Sequence, residues 1–174
     1  PPRSTRFPYR TLFRSTGLED VLPIDAQHEA SVVDHLMHTF ASMGYDRVKP
    51  PLIEFEDNLL QGSGAAISAQ TFRVMDPVSQ RMLGIRPDMT VQVERIATTR
   101  LINAPRPLRL SYAGQVLRVK GSQLRPERQF TQTGIELIGS DAHTADCEII
   151  LLAHEALSKA GVKNPNVDFG FPSL

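Results

Sequence analysis

The amino-acid sequence predicts a mixed domain of helices and paired strands. Helical periodicity marks two long stretches, residues 23–44 and 140–161. Between them lie two strand–turn–strand patterns, residues 71–90 and 108–139. Hydrophobic residues make up 41% of the 174, enough to bury a substantial core between such elements.

The first helix is read from "PIDAQHEASVVDHLMHTFASMG", with Asp25 as its expected N-cap and Gly44 as its stop. Val33, Leu36, Met37 and Phe40 fall on one face. His28, His35 and His38 share the helix at spacings that make no metal set without matched acidic or Cys partners, so solvated or core-edge roles are expected. "YDRVKPPLIEFEDNLL" reads as extended, with Pro50 and Pro51 fitting an edge or irregular strand. "QGSGAAISAQ" is a small-residue loop whose Gly62 and Gly64 lack the lysine and spacing of a phosphate loop.

"TFRVMDPVSQRMLGIRPDMT" predicts a hairpin turning at "DPVSQ". Pro87 holds Arg86 extended, and Asp88 is positioned to cap the helix "MTVQVERIATTRL". Asp88 and Thr90 therefore sit at a strand-to-helix junction, where capping and ligand binding are compatible roles. After the Pro-rich connector "NAPRPLR" comes a second pair of strands. The last helix has Ala145, Ile149, Leu152, Ala156 and Ala160 on its buried side and stops at Gly161. "VDFGFP" begins one more strand, so the natural protein is expected to continue.

Composition excludes several classes. Lys+Arg and Asp+Glu both number 19, which gives no general reason to expect a nucleic-acid partner. No apolar run approaches the roughly 20 residues that span a bilayer. The single Cys147 cannot form an internal disulfide, which points to a reducing, cytoplasmic setting. Residues 1–16, with Arg3, Arg6, Arg10 and Arg14 and no acid, read as a foreign or disordered leader. The domain is expected to run from 17 to 174, and without those arginines it is mildly acidic.

The most informative stretch is "QFTQTGIELIG". Strand alternation puts Phe130, Gln132, Gly134, Glu136 and Ile138 on one face. Gln132 and Glu136 lie about 13 Å apart along it, with Gly134 between them where a ligand or backbone approaches closely. Arg118 closes the neighbouring strand, and the intervening loop carries Lys120, Arg125, Glu127 and Arg128. Acceptors at Asp88, Thr90, Gln132 and Glu136 with a guanidinium at Arg118 would suit an amino acid, its ammonium at one end and its carboxylate at the other.

"GLEDVLP", "GYDRVKPPLIE", "LGIRPDMTVQVERIA" and "GQVLRVKGSQLRPERQFTQTGIELIG" occur in the order found in the histidyl-tRNA synthetase-like catalytic domain of class II aminoacyl-tRNA synthetases, which the chain resembles from about Gly17 onward. The resemblance implies an α+β domain: a class II synthetase-like antiparallel sheet with flanking helices mainly on one side, truncated at the C-terminus. Departures point to one branch. Asp88-Met89-Thr90 stands where synthetases usually have Glu-Gly-Thr, Lys120 where a glutamate helps to hold ATP, and Pro126 where an arginine is typical. "RPDMT" followed by "VERIA" looks more like the regulatory subunit of ATP phosphoribosyltransferase. That branch implies a non-catalytic subunit that charges no tRNA. It joins the short-form catalytic subunit in a hetero-octamer, a glycosyltransferase complex of histidine biosynthesis, and self-associates through this domain. Its histidine pocket maps onto Asp88, Thr90, Arg118, Gln132 and Glu136; no catalytic residue, metal or cofactor is expected. The alternatives are a divergent histidyl-tRNA synthetase fragment and a stand-alone amino-acid-binding protein.

Overall fold

The computed structural model describes residues 15–60 and 67–168. The leader through residue 14, Gly62 and Gly64, and most of "VDFGFP" lie outside the described residues.

Helix α1 spans Pro23–Ser42. It starts with proline in the first turn, where the missing N–H costs nothing, and Leu22 occupies the N-cap without a side-chain bond. Asp25 is therefore not the cap; it lies in the first turn, where its charge complements the helix dipole. The other end is as expected. Gly44 has φ +82°; its N–H donates to Ala41 O at 3.0 Å and the Tyr45 N–H to Phe40 O at 3.1 Å, which satisfies the last carbonyls.

The proline-rich segment is shorter in strand than expected. Strand β1 (Asp46–Arg47) and strand β2 (Ile53–Phe55) flank Pro50 and Pro51. "EDNL" then forms the short helix α2 (Glu56–Leu59), which buries Leu59. A 3₁₀ turn at 67–70 leads into the expected hairpin of β3 (Phe72–Met75) and β4 (Met82–Ile85). Asp76 organises its turn: the carboxylate accepts the Val78 and Ser79 N–H groups, both at 3.1 Å. Helix α3 (Thr90–Arg95) continues into a π-helical turn, Ile96–Arg100. The long strands β5 (Leu108–Leu117) and β6 (Gln129–Ile138) follow, and helix α4 spans His143–Lys159.

These strands form two three-stranded sheets, ordered β1-β5-β6 and β2-β4-β3. β5 and β6 pair antiparallel along their full length, Leu108 against Ile138 through Leu117 against Gln129. β1 joins β5 in parallel. The architecture is α+β, but helices cover both faces of the β5–β6 pair, because both faces carry apolar side chains. Leu108, Leu110, Tyr112 and Val116 pack with Met89, Val93 and Ala97 of the α3 region. Ala113 and Ile135 point the other way, against Met37 and Phe40 of α1 and Leu152 and Ala156 of α4. Each fully buried Val, Leu or Met contributes about 1.5–3 kcal/mol.

A polar tie fixes where α3 begins. Glu54 of β2 accepts from Gln92 Nε2 at 2.9 Å and Arg95 Nη2 at 3.0 Å. Gln92 also donates to Pro51 O at 2.9 Å. This tie joins α3 to β2, while Met89 and Val93 pack it over the β5–β6 face on which the sequence placed its candidate residues.

Candidate functional site

The site begins with the register. Gln132 lies opposite Gly114, Gly134 opposite Tyr112, and Glu136 opposite Leu110. All six share one face of the pair, the α3 side. Both glycines are filled from across or above. A Cβ at Gly134 would lie 2.4 Å from Tyr112 Cζ and Oη, so the Tyr112 ring rests across the glycine. A Cβ at Gly114 would lie 2.3 Å from Arg86 Nη2. The expected close approach at Gly134 is thus made by a side chain of the protein itself.

Asp88, Thr90, Gln132 and Glu136 come together. Asp88 Oδ1 accepts the Thr90 N–H at 2.8 Å. The N-cap position is Met89, one residue later than expected, yet Asp88 still satisfies the first helical N–H. Gln132 uses both ends of its amide: Nε2 donates to Asp88 Oδ2 at 2.9 Å, and Oε1 accepts the Met89 N–H at 3.0 Å. Tyr112 Oη donates to Glu136 Oε1 at 3.2 Å and lies 3.2 Å from Thr90 Oγ1. With its one proton committed to Glu136, Tyr112 accepts from Thr90.

Electrostatics favour a cation here. Burial pushes the Glu136 carboxyl above its ordinary value; the neighbouring Tyr112 and Thr90 hydroxyls act against this, and Glu94 and Asp88 add to it by repulsion. Burial likewise raises the Tyr112 hydroxyl far above the ordinary phenol range, so it remains a donor. A ligand ammonium or ring N–H would relieve the crowding of carboxylates.

Arg118 stands apart from this cluster. Its Nε donates to Pro87 O at 3.3 Å and its guanidinium lies over the Phe130 ring, 5.1 Å from the centroid. It lines a cleft of about 300 Å³ with Gln70, Lys120, Arg125 and Phe130. Phe130 is two residues from Gln132 on the same face, so the cationic cleft adjoins the acidic end of the site. Arg128, grouped with the loop cations by the sequence, turns away. It donates to Arg118 O at 3.2 Å, Ser15 Oγ at 2.8 Å and Thr16 O at 3.2 Å. Ser15 and Thr16 belong to the segment read as leader; both contact the loop.

Sequence reasoning missed Tyr112 and Arg86. Arg86 is 5% exposed and hangs from backbone carbonyls: Nε donates to Gln115 O at 2.8 Å, and Nη1 to Pro50 O at 2.8 Å and Pro51 O at 3.4 Å. An aromatic facing a strand glycine is a legible signal for Tyr112 once the register is known. Nothing local distinguishes Arg86 from a surface arginine. Among the described residues no group of His, Cys, Asp and Glu is placed to hold a metal, and no helix is long and apolar enough to cross a membrane.

Comparison with known proteins gives a consistent set of matches. The family model described as histidyl-tRNA synthetase matches residues 17–174. The ATP phosphoribosyltransferase regulatory subunit of Paramagnetospirillum magneticum is 65% identical over 158 residues, 91% of this chain and 42% of that protein. The protein of the same name from Rhodospirillum centenum is 61% identical, over 91% of this chain and 41% of its own length. A solved structure described as an ATP phosphoribosyltransferase regulatory subunit/histidyl-tRNA synthetase from Bacillus halodurans superposes with a TM-score of 0.75 at 29% identity, covering 89% of this chain and 40% of that one. The chain spans about two fifths of the length of the curated relatives it matches.

Proposed function

The chain belongs to the histidyl-tRNA synthetase family, and from that premise we propose that it is part of a regulatory subunit of ATP phosphoribosyltransferase, a non-catalytic protein that binds histidine. The identity of 65% to a relative bearing that name carries the reading. The site supports it. Asp88, Thr90, Gln132 and Glu136 form a half-buried acidic cluster suited to an ammonium and a ring N–H. Arg118 offers a guanidinium to a carboxylate from the adjoining cleft.

The same reading makes the short catalytic phosphoribosyltransferase the partner, in a hetero-octamer that acts in the cytoplasm at the first step of histidine biosynthesis. Self-association goes through the synthetase-like domain, and no tRNA is bound. Feedback by histidine then requires that histidine favour one state of the complex over another. Lys120 and Pro126 in the loop oppose an ATP-activating role, because an ammonium replaces the carboxylate used there by synthetases.

Calorimetric titration of L-histidine into the full-length protein tests the site. Binding by the wild type that weakens at least tenfold in Gln132→Ala and Glu136→Ala supports it; unchanged affinity in both removes the pocket. The second reading, a divergent histidyl-tRNA synthetase, draws on the family match and the double description of the Bacillus halodurans structure. Histidine-dependent exchange of pyrophosphate into ATP by the full-length protein would decide for it.

A further inference from the structure

We infer that Tyr112 is a positioning residue of the ligand site, which selects a ligand bearing a ring N–H by holding Glu136 in one orientation. The inference rests on the histidine-binding reading above and adds a residue and a specificity rule to it.

Three observations carry it. Tyr112 is 3% exposed, so its hydroxyl is fixed by packing and acts through its neighbours. That hydroxyl lies 3.2 Å from both Thr90 Oγ1 and Glu136 Oε1, so it links two of the residues assigned to the ligand. The ring occupies the space above Gly134, where any side chain would collide with it. A glycine inside a strand weakens that strand; here it is what lets the aromatic ring lie flat between Gln132 and Glu136.

The chemistry follows from the donor count. Tyr112 gives its one proton to Glu136, so the carboxylate is held as an acceptor facing the site. Asp88 and Glu94 bear on Glu136 as further negative charges, and both come from the turn and helix above it. A ligand group that donates N–H completes this arrangement. A group of the same shape without the N–H leaves a half-buried carboxylate unmatched, which discriminates more strongly than a missing methylene does.

The test uses the full-length protein and two probes, L-histidine and 2-thienylalanine, whose ring is similar in shape but has no N–H. Tyr112→Phe keeps the ring and removes one oxygen. The expected result is a loss of about tenfold or more in histidine affinity with little change for thienylalanine, so the preference between the two narrows by that factor. Gly134→Ala, which pushes the ring aside, should narrow it as well. In Tyr112→Phe/Glu136→Gln, the loss should be no greater than in Glu136→Gln alone, because both changes remove one coupled unit. Equal weakening for both probes, additive losses, or an unaltered preference would overturn the inference while leaving the histidine site standing. A wild type that binds no histidine would remove the function proposed above and this inference with it.

Discussion

Gln132 braces Asp88: its Nε2 donates to Asp88 Oδ2 at 2.9 Å while its Oε1 accepts the Met89 N–H at 3.0 Å. One side chain on β6 thus holds both the carboxylate and the backbone that open α3. These contacts join residues 43 and 44 positions apart in the chain. They make the strand-to-helix junction and the sheet face a single unit, with consequences for stability as well as for binding.

Gln132→Ala leaves a half-buried N–H without its partner and removes a bond to Asp88. It should destabilise the domain by about 1–3 kcal/mol, read as a shift of the urea unfolding midpoint at constant slope. Gln132→Glu should cost more near neutral pH, because it sets a second carboxylate against Asp88. An unshifted midpoint in Gln132→Ala would mean that the brace contributes nothing to folding.

Gly114→Ala tests the packing of Arg86. The new methyl would meet a guanidinium that three backbone carbonyls already hold in place, so the arginine cannot swing aside without losing them. Overpacking of this kind costs about 1–3 kcal/mol. Thermal unfolding should show a lowered midpoint.

Two glutamates should shape the pH dependence of stability in opposite directions. The bidentate bond from Arg109, at 2.7 Å to each oxygen, holds Glu148 below its ordinary value, helped by Tyr45. Its stabilising effect is complete above the ordinary glutamate value and is lost as pH falls through the lowered one. Unfolding measured between acid and neutral pH should therefore show an acid limb that Glu148→Gln flattens.

Glu136 behaves the other way. Its folded value is raised by burial, so the native state holds its proton more tightly than the unfolded chain. Stability should fall as pH rises from the ordinary glutamate value through the raised one. Glu136→Gln, which still accepts from Tyr112, should be at least as stable as the wild type at neutral pH while binding histidine more weakly. A loss of stability at neutral pH would show that the charged carboxylate is a structural requirement and not a cost borne for the ligand.

Much of this architecture was legible from local rules. Proline, glycine and apolar spacing placed α1, α4, the β3–β4 hairpin and the long strand pair, and strand alternation put Gln132, Gly134 and Glu136 on one face. The misses share a cause. Asp25 is a good capping residue by type, but Pro23 starts the helix two residues earlier. "EDNL" has no strong pattern and turns helical where Leu59 meets Gly84. The helices divide between two faces because the β5–β6 pair offers apolar side chains on both, Ala113 and Ile135 on the second, which an expectation of one covered face overlooked.

The sequence by itself determined which residues can share a face, since the period of a strand is set by its backbone, and it carried the family resemblance in ordered motifs. Only the tertiary structure decided which of those residues touch. The pairing of β5 with β6 brings Tyr112 over Gly134, and the packing of α3 brings Asp88 and Thr90 down to Gln132 and Tyr112. The same fold leaves Arg118 in the neighbouring cleft and turns Arg128 toward Ser15. Hydrogen bonds act over about 3 Å, and contacts that short between distant segments depend on how whole elements pack, which no local pattern of residues encodes.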